Sequence, residues 1–382
     1  MSSTDTSPFA SGVSLYLAHQ DVAEDACRQA LRIGATDAFI SLHMPEDDRA
    51  SFPVRLRELT ALAHAHGLRV TVDISQHALP ALGLTPATAA GITAFGVDAI
   101  RIDFGLPDED IVTLSRNIPV RLNASTITPS WLERLLAQGL DTGRVEAWHN
   151  FYPRTHTGLA AKLVAERNAM WRRHGFRTVG FVPGDGVLRA PVAAGLPTVE
   201  AHRGRHPLAA AHELAALGCD AVLVGDPTLA PRTADQWEAW HARGEVDLTI
   251  RAEDGSDSIT DGVTDEIASP EVRARLGVPD RERTDPAAQL VRLEGSRPAL
   301  SALPIAPTAR ATAHRPRGTL TVGNDRLPRY RGELSISRTD LPPDPTVNPI
   351  GSVIPRDLPL LPFIGPGTPV RLSPLRPPAG QV

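Results

Sequence analysis

The stretch His149-Asn150-Phe151-Tyr152-Pro153-Arg154-Thr155-His156-Thr157-Gly158 crowds two imidazoles, an amide, a phenol and a guanidinium into ten residues. It follows a short apolar run, Val145 to Trp148, and precedes a helix-like run from Leu159 to Trp171. It therefore reads as the turn between a strand and a helix. A purely structural connection rarely needs so many hydrogen-bonding groups. In a repeating strand–helix protein such a turn lies outside the carboxyl ends of the strands, where ligands bind.

Other strand ends add chemistry of the same kind. In chain order they offer Ser14 and Tyr16; His43, Glu46 and Asp47; Asp73 and Ser75; Arg101 and Asp103; Asn123, Ser125 and Thr126; Gly184, Asp185 and Arg189; Glu200, His202 and Arg203; Gly225 and Asp226. Arg101 and Asp103 alternate along one strand and so point the same way. Paired carboxylates are what glycosidic bond cleavage needs: one protonated to help the sugar oxygen leave, one ionised to attack or to activate water. Arginine forks and the loops after the last two strands of a barrel suit the oxygens of a phosphate. Together they predict a phosphorylated sugar held in a carboxylate-lined mouth.

Each group also has a plainer reading. Arg101 and Asp103 can form one internal ion pair. Asp226 can cap a helix ahead of Thr228. Glu46-Asp47-Asp48 can be a solvated turn, and Tyr152 and His156 can simply brace their loop. A metal would have to be assembled from His43, Asp73, His149, His202 and Asp226. The first strand, however, carries Ser14 and Tyr16 where metal-dependent barrel hydrolases place paired histidines, and no His-Glu-x-x-His spacing occurs. Neither a metal nor a cofactor is expected.

The elements that would position these groups recur regularly. Strands are read at 12–17, 38–43, 68–74, 98–104, 119–123, 145–149, 177–182 and 220–225. Helical stripes lie between them, such as Val22, Ala26, Cys27, Ala30 and Leu31, or Leu56, Leu59, Leu62 and Ala63. Gly34, Gly67, Gly139, Gly175 and Gly218 mark helix ends. Eight such units predict an α/β fold, a (β/α)₈ TIM barrel over residues 1–244. An open doubly wound sheet is the competing architecture, but no glycine fingerprint follows the first strand. Past Gly244 the composition shifts to acidic, small and proline-rich segments, with strand-like pieces at 319–322, 332–337 and 370–372. Residues 245–382 are read as a smaller, mainly β domain. The tail prolines Pro355, Pro359, Pro362, Pro366 and Pro369 belong there in turns and edge strands.

Composition excludes several classes. The net charge of -5 gives no electrostatic footprint for nucleic acid or an anionic membrane. No apolar run approaches the roughly 20 residues of a membrane span, and residues 1–11 do not resemble a secretory signal. Cys27 and Cys219 are the only cysteines, and both read as reduced and structural in a cytoplasmic protein. Lys162 is the only lysine and falls within a helical run. Schiff-base and pyridoxal-phosphate chemistry, which need a lysine in the site, are therefore unfavoured.

Several of these segments resemble the MupG-like 6-phospho-N-acetylmuramidase family. They are Gly12-Val13-Ser14-Leu15-Tyr16, Ser41-Leu42-His43-Met44-Pro45-Glu46-Asp47-Asp48, Val72-Asp73-Ile74-Ser75, Arg101-Ile102-Asp103-Phe104-Gly105 and Asn123-Ala124-Ser125-Thr126. The motif from His149 to Gly158, and Gly195-Leu196-Pro197-Thr198-Val199-Glu200 with His202-Arg203, continue the likeness. Tyr330-Arg331-Gly332-Glu333-Leu334 and Asn348-Pro349-Ile350-Gly351 extend it into the second domain. Ala190 departs from the pattern, which has glycine after Arg189, and residues 247–317 match least.

The resemblance implies a barrel followed by a cyclophilin-like domain. It also implies a cytoplasmic exo-glycosidase of peptidoglycan recycling. The expected partner is one small molecule, 6-phosphorylated N-acetylmuramyl-β-1,4-N-acetylglucosamine, and a homodimer is a possible assembly whose occurrence the sequence leaves open. On this reading Glu200 is the general acid and Asp103 its partner, with Asp73 and Asp226 in reserve. Arg101, Arg154, Arg189 and Arg203 meet the phosphate and the lactyl carboxylate. His43, Asn123, His149, Asn150, Tyr152 and His202 bind the rest of the sugar, and Arg331 or Glu333 forms a lid. A non-catalytic sugar-phosphate binder and a metal-assisted hydrolase of a phosphorylated sugar are the alternatives.

Overall fold

The computed structural model describes residues 9–42, 51–75, 79–252 and 269–375. His43, Glu46 and Asp47, named above, lie outside the described residues. Eight parallel strands close into a barrel: β1 (Ala10–Leu15), β2 (Ala35–Ser41), β3 (Arg69–Ser75), β4 (Ala99–Phe104), β5 (Val120–Asn123), β6 (Val145–Trp148), β7 (Thr178–Val182) and β8 (Ala221–Val224). Their continuous apolar runs follow from burial on both faces. Closure sets Ala10 opposite Ala221 and Gly12 opposite Leu223. Gly12 is required there, because a Cβ would stand 2.7 Å from Leu223 Cγ and 2.9 Å from the Asp37 carbonyl oxygen.

Among the described residues seven α-helices surround this sheet: α1 (Gln20–Arg32), α2 (Phe52–Ala65), α3 (Asp108–Asn117), α4 (Pro129–Ala137), α5 (Ala161–Arg173), α6 (Pro207–Ala216) and α7 (Pro231–Arg243). The third connection departs from the expected repeat: its main element is a 3₁₀ segment, Pro86–Phe95, capped by Thr85 and Thr88. Gly91 and the β-branched Thr88, Ile92 and Thr93 weaken an α-helix there. The stripe on α1 is also displaced. Ala23, Ala26, Cys27 and Ala30 are buried, whereas Leu31 is 56% exposed.

The barrel interior is packed with rings. Phe39, Trp148 and Phe181 are buried with Val179, Ala221 and Leu223, and Phe151 rests against them from the loop after β6. Phe39 and Phe151 each lie edge-on to Phe181, with centroids 5.3 Å apart. Such crossed rings fill the cylinder and carry favourable edge-to-face contacts.

Contacts divide the chain into two compact units, residues 1–238 and 239–382, the division falling within α7. In the second, seven strands form one sheet in the order β10-β15-β9-β14-β12-β13-β11. These are β9 (Val246–Ala252), β10 (Asp280–Arg281), β11 (Leu290–Arg292), β12 (Thr319–Gly323), β13 (Leu334–Ser337), β14 (Val347–Val353) and β15 (Pro369–Pro374). All neighbours are antiparallel except β15 and β9. The central strand β14 accommodates Pro349 where its register with β12 shifts, as a residue without an N–H requires. Among the described residues no helix is long and apolar enough to cross a membrane.

Candidate active site

A cavity of about 220 Å³ opens at the carboxyl ends of the barrel strands. Phe39, Phe151 and Phe181 form its apolar part. Asp73, Arg101, Asp103, Asn150 and Arg189 supply its charge and polarity, together with Ser41 and His149, and Pro153 completes the lining.

Arg101, on β4, is the hub. Its Nη1 donates to Asp73 Oδ1 on β3 at 2.9 Å and to Asp103 Oδ1 at 3.5 Å. Its Nη2 donates to the side-chain oxygen of Asn150 and, at 3.5 Å, to the Trp148 carbonyl. The ion pair foreseen between Arg101 and Asp103 is thus real, and it lies in the cavity wall. Asp103 Oδ1 also accepts from Asn123 Nδ2 at 3.1 Å. Its Oδ2 has no hydrogen-bond partner among the described residues. The two carboxylates share one nitrogen, so their Oδ1 atoms are no farther apart than 2.9 and 3.5 Å laid end to end.

Behind Asn150 runs a chain that sequence reasoning did not foresee. Asn168 on α5 donates through Nδ2 to the Leu217 carbonyl at 3.0 Å and to Cys219 Sγ at 3.3 Å. Its carbonyl therefore faces His149 Nε2, 2.8 Å away, and that nitrogen carries the proton. His149 Nδ1 then accepts from Ser125 Oγ at 3.2 Å, and Ser125 Oγ accepts from the Asn150 amide at 2.9 Å. Burial holds His149 down to about 4, so it is neutral at pH 7. Expected as a sugar ligand, it instead fixes the backbone of Asn150 from behind. Burial likewise raises the Cys219 thiol to about 12 and the Cys27 thiol to about 11, in keeping with inert structural cysteines.

The acid role expected for Glu200 does not fit its surroundings. Oε1 accepts from the His156 amide at 2.9 Å and Arg203 Nε at 2.7 Å. Oε2 accepts from the Gly158 amide at 2.7 Å and Arg203 Nη2 at 2.8 Å. The Arg203 hydrogen bonds, helped by the two amides, hold its carboxyl down to about 2. Such a group is ionised at pH 7 and has no proton to give. It braces the motif turn, where His156 has φ +66°, a conformation non-glycine residues seldom adopt. Gly158 must be glycine, since a Cβ would stand 2.8 Å from the Glu200 amide nitrogen.

Arg203 is equally committed. Besides Glu200 it donates to the carbonyls of Ala194, Gly195, Tyr152 and Arg154. Asp226 is buried and accepts three backbone amides, from Gly184, Arg189 and Leu196. It acts as neither the helix cap nor a wall of the cavity. His202 is buried against Glu213 at 3.1 Å and is held down to about 4 by burial. Tyr152 and exposed Arg154 do not line the cavity either.

Of the residues expected at the site, the structure brings Asp73, Arg101, Asp103, His149, Asn150 and Arg189 to the cavity wall, with Asn123 bonded behind Asp103. No cluster of three or more His, Cys, Asp or Glu side chains among the described residues is placed to hold a metal ion. Lys162 lies on the outside of α5, its side chain 89% exposed.

Fold and site together define a (β/α)₈-barrel protein with an acid-lined, arginine-bearing mouth, joined to a seven-stranded mixed sheet. The model of the 6-phospho-N-acetylmuramidase N-terminal domain matches residues 11–239, and that of the C-terminal domain matches residues 265–373. The chain belongs to the 6-phospho-N-acetylmuramidase family, a family of glycoside hydrolases. The second match begins within the stretch, 247–317, that resembles the family least.

A crystal structure of a conserved Enterococcus faecalis protein of unknown function is 33% identical, with a TM-score of 0.82 over 96% of each chain. An uncharacterised B. cereus protein of 22% identity shares the fold, with a TM-score of 0.68 over 96% of this chain and 99% of that one. No curated protein matches the chain.

Proposed function

We propose that this chain hydrolyses the β-1,4 bond of N-acetylmuramic acid 6-phosphate linked to N-acetylglucosamine, as a cytoplasmic enzyme of peptidoglycan recycling. The observation that carries the reading is Asp103. It lines the cavity beside a second carboxylate, Asp73, and keeps one oxygen without a partner among the described residues. Asp103 takes the acid–base role in place of Glu200. It protonates the departing oxygen of N-acetylglucosamine as the bond to C1 breaks. Water adds to C1, and its proton returns to Asp103. Asp73, ion-paired to Arg101 at 2.9 Å, faces the positive charge that develops on the sugar ring. The rings of Phe39, Phe151 and Phe181 offer the apolar surface that the C–H face of a pyranose needs.

The test is purified protein with 6-phosphorylated and non-phosphorylated muramyl disaccharide, with and without chelator. Product should form only from the phosphorylated sugar and be indifferent to chelator. Tight binding with no product would make the chain a sugar-phosphate binder, and loss of turnover on chelation would make it a metal-assisted hydrolase.

A further inference from the structure

We infer that Arg189 reads the anionic substituent of the bound saccharide, and that Asp226 is the positioning residue that presents it. The inference rests on the glycosidase reading for the identity of the sugar, though not for the existence of the anion site. Four arginines surround the motif turn, and three are unsuitable. Arg101 is engaged by two carboxylates and two carbonyl oxygens. Arg203 is engaged by Glu200 and four backbone carbonyls. Arg154 is exposed and does not line the cavity. Arg189 lines the cavity and has no carboxylate within ion-pairing distance among the described residues.

What holds Arg189 is a platform of rings. Its guanidinium carbon lies 5.5 Å from the centroid of Tyr16 and 5.6 Å from that of Phe151. Tyr16 is itself buried, its hydroxyl donating to the Gly225 carbonyl. A guanidinium held by rings and by the Tyr16 hydroxyl, with no carboxylate on it, keeps N–H groups for a ligand, and its planar fork matches the oxygens of a phosphate or carboxylate.

Asp226 sets the backbone. Oδ2 accepts from the amides of Gly184 and Leu196, each at 2.9 Å, and Oδ1 from the amide of Arg189 at 3.1 Å. One buried carboxylate thus ties the segment 184–196 at both ends and near its middle, and the middle anchor is Arg189. The approach needs glycine at 184, where a Cβ would stand 2.7 Å from Asp226 Cβ. The cavity then has a division of labour: Asp73 and Asp103 face the bond to be cut, and Arg189 faces the charge that identifies the sugar.

Binding of non-hydrolysable monosaccharides tests this without turnover. N-acetylmuramic acid 6-phosphate, N-acetylmuramic acid and N-acetylglucosamine 6-phosphate are titrated calorimetrically against wild type, Arg189→Gln and Asp226→Asn. Wild type should prefer the sugar carrying the recognised anion by tenfold or more, and Arg189→Gln should abolish that preference. Loss of the preference for the 6-phosphate identifies phosphate as the anion, whereas loss of the preference for the lactyl ether identifies the carboxylate. Asp226→Asn should lose the same preference and raise KM with kcat retained, a split that general loosening would not give.

If Asp226→Asn fails to fold, hydrogen exchange across 184–196 in wild type supplies the readout. N-acetylmuramic acid 6-phosphate should protect that segment more than the unphosphorylated sugar does if phosphate is read, and more than N-acetylglucosamine 6-phosphate does if the lactyl group is read. Both preferences intact in a folded Arg189→Gln, or equal protection by all three sugars, would overturn the inference. An anion preference that depends on Arg189 without any turnover would instead sink the glycosidase reading alone.

Discussion

At the ends of β3 and β4, Arg101 joins Asp73 and Asp103; in the segment after β7, Arg203 joins Glu200. By accessibility the two carboxylates first expected to work together cannot be told apart, the side chain of Asp103 being 26% exposed and that of Glu200 27%. Their hydrogen bonds separate them. Glu200 receives four donors, two to each oxygen. Asp103 receives two, both on Oδ1. A carboxylate whose lone pairs are all engaged braces a loop, while one with an oxygen to spare can exchange a proton with a ligand.

The sharpest way to break this comparison is to exchange each acid for its amide. Asp103→Asn should lower kcat by a factor of about 10²–10⁴, the usual range for a lost acid–base group, while the protein still folds. N-acetylglucosamine release measures it, and turnover within a few-fold of wild type would remove Asp103 from the chemistry. Glu200→Gln should show the reverse pattern. Loss of a charged acceptor should destabilise the fold by about 1–3 kcal/mol in urea titrations, while kcat falls by less than tenfold. Abolished turnover at unchanged stability would return Glu200 to the acid role.

The smallest effect expected is in pH dependence. Glu200 is held at about 2, below its ordinary 4.5, so its contribution is complete above pH 4.5 and lost as pH falls from there through 2. The difference in unfolding free energy between wild type and Glu200→Gln should shrink only in that range. His149, His202 and His212 are held near 4 by burial. The unfolded chain takes up their protons first, so stability should fall from pH 6.5 towards 4 in both proteins alike.

Much of the barrel was readable because parallel strands covered on both faces leave apolar runs that turns interrupt. Each expected strand overlaps an observed one. The first two begin two or three residues earlier than their apolar runs, at Ala10 and Ala35, where polar Ser11, Thr36 and Asp37 hide them. In the second unit β9 went unread despite the alternation of Val246, Leu248 and Ile250, and so did β14 with Pro349 at its shift of register. Arg101 and Asp103 were legible because alternation on one strand forces them to one side. The roles of Glu200 and Asp226 were not, because sequence shows which groups converge but not which backbone amides consume them. Asn168 was hidden for a related reason: it lies 19 residues beyond His149 on α5, and only the packing of that helix aims it at the imidazole. Phe39 and Phe181 carried no signal beyond ordinary core apolarity.

The crossed rings of Phe39, Phe151 and Phe181 share one cavity wall with the two acids. A ligand that reaches Asp103 therefore meets a greasy wall on one side and charge on the other.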